Sequence, residues 1–155
     1  MLQLDNRYLV EDLVPHRGAM SLLESIDGYG VDWLRASLTV NPRGIFATSG
    51  GVAGWVGIEY MAQAAAAFGG VEQVQRGEAP SIGLLLGARY YRCMLDHFPN
   101  GMKLDVFAKV AMRDDQDFAA YACTLESGGQ RLAECTLKAY RPDDLGPVLA
   151  EAARG

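Results

Sequence analysis

Cysteine and histidine are scarce in this 155-residue chain, which limits the kinds of site that it can build. The three cysteines, Cys93, Cys123 and Cys135, are an odd number at wide spacing, so we expect reduced core thiols and no disulfide framework. The two histidines are His16 and His97. Together with the cysteines they do not form a metal-ligand pattern, and we expect no metal site.

Basic residues are outnumbered by acidic ones, 14 to 19, which gives a net charge of -5. This charge argues against a general nucleic-acid binder. Arg89, Arg92 and Lys103 are close enough in sequence to form a local basic patch for an acidic partner, although most surface basic residues only interact with solvent.

Long uninterrupted hydrophobic runs are also missing, because Glu59 and Gln63 break the longest one. We therefore expect no insertion into a membrane. The first residues, 1–5, lack the basic and apolar regions of a signal peptide, so a cytoplasmic protein is expected. The length favours one domain over residues 1–155, with a core at roughly 10–140 and a tail at 141–155.

The dominant feature that is present is an alanine-rich apolar stretch over residues 54–70, which predicts a helix ending at Gly69 and Gly70. Its apolar residues fall on every side, which is typical of a buried helix. One carboxylate, Glu59, lies within it, and Gln63 follows one turn later. A buried acid needs a partner, a proton or a cavity. Glu59 is therefore either a hydrogen-bonded structural residue or a catalytic acid or base.

The sequence pattern in the rest of the chain mainly predicts strands. Residues 21–28 and 32–40 predict a β-hairpin, and four further strands are predicted over 81–93, 102–113, 117–126 and 131–140. A turn-rich connection over 41–53 precedes the helix, and a polar connection over 71–80 follows it. This order predicts an α+β fold in which an antiparallel sheet wraps around one long helix. Its exposed edge strands make pairing of protomers an expectation.

Near the N-terminus, Pro15 and Gly18 frame a defined loop that carries His16 and Arg17. This Leu-Val-Pro-His-Arg segment and the run Gly-Ile-Glu-Tyr-Met-Ala-Gln-Ala at 57–64 resemble the hotdog-fold 3-hydroxyacyl-[acyl-carrier-protein] dehydratases. The run Gly-Leu-Leu-Leu-Gly-Ala-Arg-Tyr-Tyr-Arg at 83–92 is similar to the strand after the helix in those enzymes. The Trp-Val-Gly-Ile-Glu-Tyr-Met-Ala-Gln run is most similar to the ApeP-type branch, which is linked to aryl-polyene pigment assembly.

The resemblance implies a hydro-lyase that converts 3-hydroxyacyl thioesters into trans-2-enoyl thioesters in fatty-acid or aryl-polyene type synthesis. It implies no cofactor of the protein itself, because the substrate is carried on the phosphopantetheine of an acyl carrier protein. The partners it implies are that carrier and a second protomer. We expect a homodimer, with a heterodimer with another hotdog dehydratase, or a higher oligomer, as alternatives.

The sequence departs in one respect from the housekeeping FabZ type of these dehydratases. In FabZ-type enzymes a catalytic motif histidine precedes the helix glutamate by fourteen residues. Ile45 stands at that position here. The triplet His97-Phe98-Pro99 is similar to the missing motif but follows the helix, so we interpret His97 as a surface or loop histidine. His16 is then the candidate that remains.

The site implied by the resemblance has His16 as base and Glu59 as acid, contributed by one protomer or by two, with the Gly54 N–H as oxyanion donor. A histidine is suited to accept a proton near neutral pH, and a helix N-terminal amide can stabilise an oxyanion. The predicted substrate-binding set further contains Arg17, Gln63, Phe46, Trp55, Leu86 and Tyr90, the last four lining an apolar tunnel. Arg89 and Arg92 are the predicted contacts to the carrier protein. Two alternatives stay open: a hotdog acyl thioesterase, and a non-catalytic hotdog partner of an active dehydratase.

Overall fold

Nine strands and one long helix make up the part of the chain that the structure, a computed structural model, describes: residues 8–13, 20–78 and 84–140. The strands are β1 (Ser25–Tyr29), β2 (Trp33–Thr39), β3 (Ala47–Thr48), β4 (Gly51–Ala53), β5 (Leu84–Cys93), β6 (His97–Phe98), β7 (Lys103–Arg113), β8 (Phe118–Ser127) and β9 (Gln130–Tyr140). The helix α1 spans Gly57–Gln75 and follows a 3-10 turn at Gly54–Val56. A second 3-10 turn is formed by Val10–Asp12.

Six of the strands form one antiparallel sheet in the order β1-β2-β7-β8-β9-β5, and α1 packs on one face of it against β2, β7 and β8. The predicted hairpin of β1 and β2 is confirmed. Of the four strands predicted after the helix, β7, β8 and β9 form a meander, whereas β5 pairs with β9 at the far edge of the sheet and not with β7. Burial alternates along β2, where Leu34, Ala36 and Leu38 are buried beneath the helix and their neighbours are not. The expected antiparallel sheet around one helix is therefore observed, and the fold is α+β.

The predicted end of the helix at Gly69 and Gly70 is wrong, because α1 continues for five more residues to Gln75. Both glycines are buried within it. A β-carbon at Gly70 would overlap the backbone of Leu13, so glycine is needed there for close packing of the N-terminal segment. The chain leaves the helix at Gly77, whose φ of +77° is the left-handed conformation typical of a helix terminus.

The connection before the helix holds more structure than the turn-rich sequence predicts. Strands β3 and β4 pair with each other, and β4 pairs with β6 from beyond the helix, in a small three-stranded sheet. In that pairing Ala53 lies opposite His97. The small sheet thus fixes the chain directly before the first turn of the helix.

The cysteines are free, as predicted, with Cys123 and Cys135 buried and Cys93 half-buried. Among the residues described, no group of three or more histidine, cysteine or acidic side chains is arranged to hold a metal ion. No helix in the same ranges is both long enough and apolar enough to span a bilayer.

Candidate active site

Glu59 occupies the first turn of α1 and is half-buried, while Gln63, one turn later on the same side, is completely buried. The Gln63 Nε2 donates a hydrogen bond of 3.0 Å to Glu59 Oε1. The two polar side chains in the apolar first part of α1 therefore meet, as their four-residue spacing predicts.

The remaining hydrogen bonds of Gln63 hold the segment at residues 20–22. Its Nε2 also donates to the Met20 carbonyl oxygen at 2.8 Å, and its Oε1 accepts from the Leu22 N–H at 2.9 Å. With two acceptors around the nitrogen and one donor at the oxygen, the orientation of the amide is fixed. Both amide hydrogens are used within the protein, and the predicted role of Gln63 in substrate binding stays a prediction. In this structure Gln63 connects Glu59 to the segment that precedes β1.

His16 and Arg17 lie outside the described residues, so their predicted roles stay predictions. The structure describes both flanks of that segment. On one side, Leu13 packs against Gly70 in the second half of α1. On the other side, Met20 accepts the hydrogen bond from Gln63. Both flanks of the segment that carries the predicted base therefore contact the helix that carries the predicted acid.

The Gly54 N–H, predicted as oxyanion donor, is already engaged. It donates to the Asp96 carbonyl oxygen at 2.7 Å, and the Gly54 carbonyl accepts a hydrogen bond from the Tyr91 hydroxyl. Gly54 leaves no room for a side chain, because a β-carbon there would overlap the Leu95 carbonyl oxygen. In this conformation the Gly54 amide fixes the approach to the helix and donates within the chain, and its role as oxyanion donor stays a prediction.

Of the four side chains predicted to line one tunnel, Phe46 and Trp55 contact each other, and Leu86 and Tyr90 lie on β5. Phe46 is half-buried and lines a cavity of only about 40 Å³ beside Tyr60. Trp55 meets the Phe46 ring edge-on at 5.8 Å and is 64% exposed. Leu86 and Tyr90, 53% and 76% exposed, lie on β5 at the edge of the large sheet. A strand at a sheet edge has a neighbour on one side only, which leaves these two side chains uncovered.

The predicted carrier contacts, Arg89 and Arg92, are both exposed on β5. Lys103 begins β7, three strands away in the sheet order, or about 14 Å at the usual strand spacing. Lys103 is therefore separated from the basic pair Arg89 and Arg92, whose role as carrier contacts stays a prediction. His97 is exposed on β6, which agrees with its interpretation as a surface histidine.

Comparison with known proteins now decides the family. A family model described as ApeP-like, ApeP dehydratase, matches residues 8–150. The chain belongs to the ApeP-like family. None of the curated proteins matches it significantly.

Solved structures similar to this ApeP-like chain include the dehydratase heterocomplex ApeI:P from Xenorhabdus doucetiae. The match has a TM-score of 0.84 and 31% identity, and it covers 93% of this chain and 98% of that chain. The E. coli PaaI protein of the phenylacetic acid degradation operon is 15% identical, with a TM-score of 0.59 over 75% of this chain and 81% of that chain. A hypothetical thioesterase with coenzyme A from Streptococcus pneumoniae is 10% identical, with a TM-score of 0.57 over 74% and 82% of the two chains. The latter two matches show the fold alone, and the hotdog fold predicted for the chain is confirmed.

Two tyrosines near the site of this ApeP-like chain were missed by sequence reasoning. Tyr60 follows Glu59, is buried and packs at 6.0 Å from the Phe98 ring; burial raises the pKa of its hydroxyl to about 12. Tyr91 contacts the backbone before α1, as described above. The sequence offers no signal for this contact, because the two adjacent tyrosines of β5 are distinguished only by the local backbone conformation.

Proposed function

We propose that this ApeP-like chain acts in the dehydration of 3-hydroxyacyl thioesters that are carried on the phosphopantetheine of an acyl carrier protein. The observation that supports this most is the contact of Glu59 with Gln63, which also binds the Met20 carbonyl next to the segment with His16. A carboxyl group at the start of a buried helix and a histidine-bearing segment attached to that helix are the two groups that the reaction needs.

The proposed reaction removes a proton from C2 of the acyl chain and the hydroxyl group from C3. His16 accepts the C2 proton, the electron pair of that C–H bond forms the C2–C3 double bond, and Glu59 protonates the departing hydroxyl, which leaves as water. The product is a trans-2-enoyl thioester. A positioned acid or base of this kind contributes typically 10²–10⁴-fold to the rate.

Chain connectivity is compatible with this pairing. His16 precedes Met20 by four residues, and four residues of extended chain span at most about 14 Å. Met20 is joined to Glu59 through the single side chain of Gln63. His16 of the same protomer is therefore within reach of Glu59, and an arrangement across two protomers is the alternative.

The similarity to the ApeI:P heterocomplex supports a second hotdog chain as partner. We propose that this partner adds along β5, whose outer side has no neighbouring strand in the described structure. It would cover the exposed Leu85, Leu86 and Tyr90, which leave an apolar strip open on the isolated chain. Closure of a substrate tunnel would then depend on both chains.

The catalytic assignment is tested with Glu59→Gln and His16→Ala, by following the enoyl product formed from a carrier-bound 3-hydroxyacyl thioester. We expect each variant to lose at least about 100-fold in turnover. His97→Ala is the matched control, since it removes an exposed histidine, and it should keep normal turnover. Near-normal turnover of Glu59→Gln or His16→Ala would contradict the assignment.

A second candidate function is a non-catalytic partner, which is favoured by the two-chain composition of the ApeI:P dehydratase and by Ile45 at the FabZ-type histidine position. The two candidates differ when the chain is mixed with an active hotdog dehydratase. If Glu59→Gln in this chain leaves turnover of the mixed complex unchanged, while the chain still co-elutes with its partner, the non-catalytic role is supported. Release of free thiol in the same assay would instead indicate a thioesterase.

A further inference from the structure

The backbone that leads into α1 is held from both sides by the segment that contains β5 and β6. The Gly54 N–H donates to the Asp96 carbonyl oxygen at 2.7 Å, and the Gly54 carbonyl accepts from the Tyr91 hydroxyl. At Gly57 a β-carbon would overlap the Tyr91 hydroxyl oxygen. One tyrosine hydroxyl therefore contacts both ends of the turn that precedes Glu59, and both contact points are glycines.

The inward position of Tyr91 depends on an irregularity in β5. The register with β9 shifts between Arg89 and Arg92, and Tyr90 has a φ of +57°, a conformation that a tyrosine rarely adopts. At this bulge Tyr90 points into solvent, 76% exposed, while Tyr91 is half-buried against the helix turn. Strained backbone of this kind persists only where the surrounding contacts compensate for it.

The hydroxyl of Tyr91 remains a donor over the whole physiological pH range. Burial raises its pKa far above the ordinary value of a tyrosine, and the neighbouring Cys93 thiol acts in the same direction. A group that stays protonated donates its hydrogen to a carbonyl oxygen but does not take part in proton transfer near neutral pH. The hydrogen bond from Tyr91 therefore fixes the position of the Gly54 backbone, and the hydroxyl takes no part in acid–base chemistry.

We propose that Tyr91 is a positioning residue whose hydroxyl fixes the 3-10 turn Gly54–Val56 and thereby the place of Glu59 in the first turn of α1. The catalytic consequence rests on the proposed function of Glu59, whereas the structural consequence does not. Loss of the hydroxyl leaves the aromatic ring in place but frees the Gly54 carbonyl. The turn then gains freedom, and Glu59 spends less time in the geometry that reaction requires.

The test compares Tyr91→Phe with Tyr140→Phe, the matched control, which removes a tyrosine hydroxyl at the end of β9, where the ring stacks on Phe118. In Tyr91→Phe, amide hydrogen exchange at residues 54–60 should accelerate about tenfold, with exchange in β7 and β8 unchanged. In the complex with its hotdog partner, kcat should fall about ten- to a hundredfold with KM within about twofold. Tyr140→Phe should match the wild type in amide exchange, kcat and KM.

Unchanged exchange at 54–60 in Tyr91→Phe would overturn the proposal, whatever the kinetics. Faster exchange with normal kcat would also overturn it, because the turn would then be mobile without consequence for Glu59. If the wild-type complex shows no dehydration, or Glu59→Gln retains full turnover, the proposed function fails. The exchange measurement still decides separately whether Tyr91 fixes the turn.

Discussion

The Gln63 amide joins three groups from two parts of the chain in a completely buried place. Hydrogen bonds of buried groups add little net stability when they are made, but their loss is costly because the partners stay buried without water. Gln63 therefore has two roles: it orients Glu59, and it attaches residues 20–22, which lead into β1, to the helix.

Replacing Gln63 by methionine keeps the size of the side chain and removes its polar atoms. The Leu22 N–H and the Met20 carbonyl lose the bonds to Gln63, so we expect the free energy of unfolding to fall by about 2–4 kcal/mol. Urea denaturation measures this change. Gln75→Met, at the exposed end of the same helix, is the control and should change stability by less than about 0.5 kcal/mol. Equal effects of both substitutions would contradict the role of Gln63.

The basic pair Arg89 and Arg92 carries a prediction for the proposed carrier. Charge reversal of both residues to glutamate should weaken binding of an acidic carrier protein, and it should reduce the dependence of that binding on salt. Titration calorimetry at low and moderate salt measures both quantities. Arg76→Glu, exposed just after α1, is the control. Unchanged affinity of the Arg89 and Arg92 variant would rule out this basic pair as the carrier contact.

At the level of single residues, the sequence predicted which groups matter better than it predicted their partners. Glu59 and Gln63 were found because two polar residues interrupt an apolar helix at four-residue spacing. The partners of Gln63 are backbone groups more than 40 positions away, and backbone groups carry no sequence signal. The same holds for the Gly54 amide, whose acceptor is the backbone carbonyl of Asp96, directly before β6.

Within the secondary-structure elements, the helix was predicted from composition, but its end was not. Glycine pairs often terminate helices. In α1, however, Gly70 lies inside the helix, where the absence of a side chain allows the backbone of Leu13 to pack closely against it. The hairpin and the meander were predicted because apolar and polar residues alternate along these strands. Such alternation indicates that one face of the sheet is buried. Strand β6 was missed because two residues are too few for a periodic pattern, and its partner β4 lies on the other side of the helix in sequence.

Gly70→Ala separates helix propensity from packing. Alanine favours a helix interior over glycine by about 1 kcal/mol, so an unconstrained position would become more stable. Here the new methyl group overlaps backbone atoms of Leu13, and overpacking of this kind costs about 1–3 kcal/mol. We expect net destabilisation in a thermal unfolding measurement. Gly87→Ala, which meets no described atom within 4 Å, is the control, and a stabilised Gly70→Ala would contradict the packing argument.

For the molecule as a whole, the core contains ionisable groups that are buried in their neutral form. Burial raises the pKa of Tyr60 to about 12 and that of Cys135 to about 11, and it raises those of Tyr91 and Cys123 still further. These thiols and hydroxyls are compatible with the apolar interior only while they keep their protons. The free energy of unfolding is consequently expected to depend on pH in the alkaline range.

The direction of that linkage follows from proton binding. In the unfolded chain, cysteine loses its proton near its ordinary pKa of 9.0 and tyrosine near 10.0, whereas the folded chain still holds these protons. The folded state then binds more protons than the unfolded state, so the free energy of unfolding falls as pH rises above about 9. Each group contributes up to about 1.4 kcal/mol per pH unit within its window, first the cysteines and then the tyrosines.

Urea denaturation at pH 7.5, 9 and 10 should therefore show constant stability near neutrality and a progressive loss above about pH 9. The double variant Cys123→Ala, Cys135→Ala removes the first groups to titrate, so its stability should decline less between pH 9 and 10 than that of the wild type. The two proteins are compared by how steeply the free energy of unfolding falls with pH. Its absolute value is not compared, because the substitutions also change packing around Met61. An equal slope in both proteins would show that the buried thiols do not control the alkaline limit of the fold.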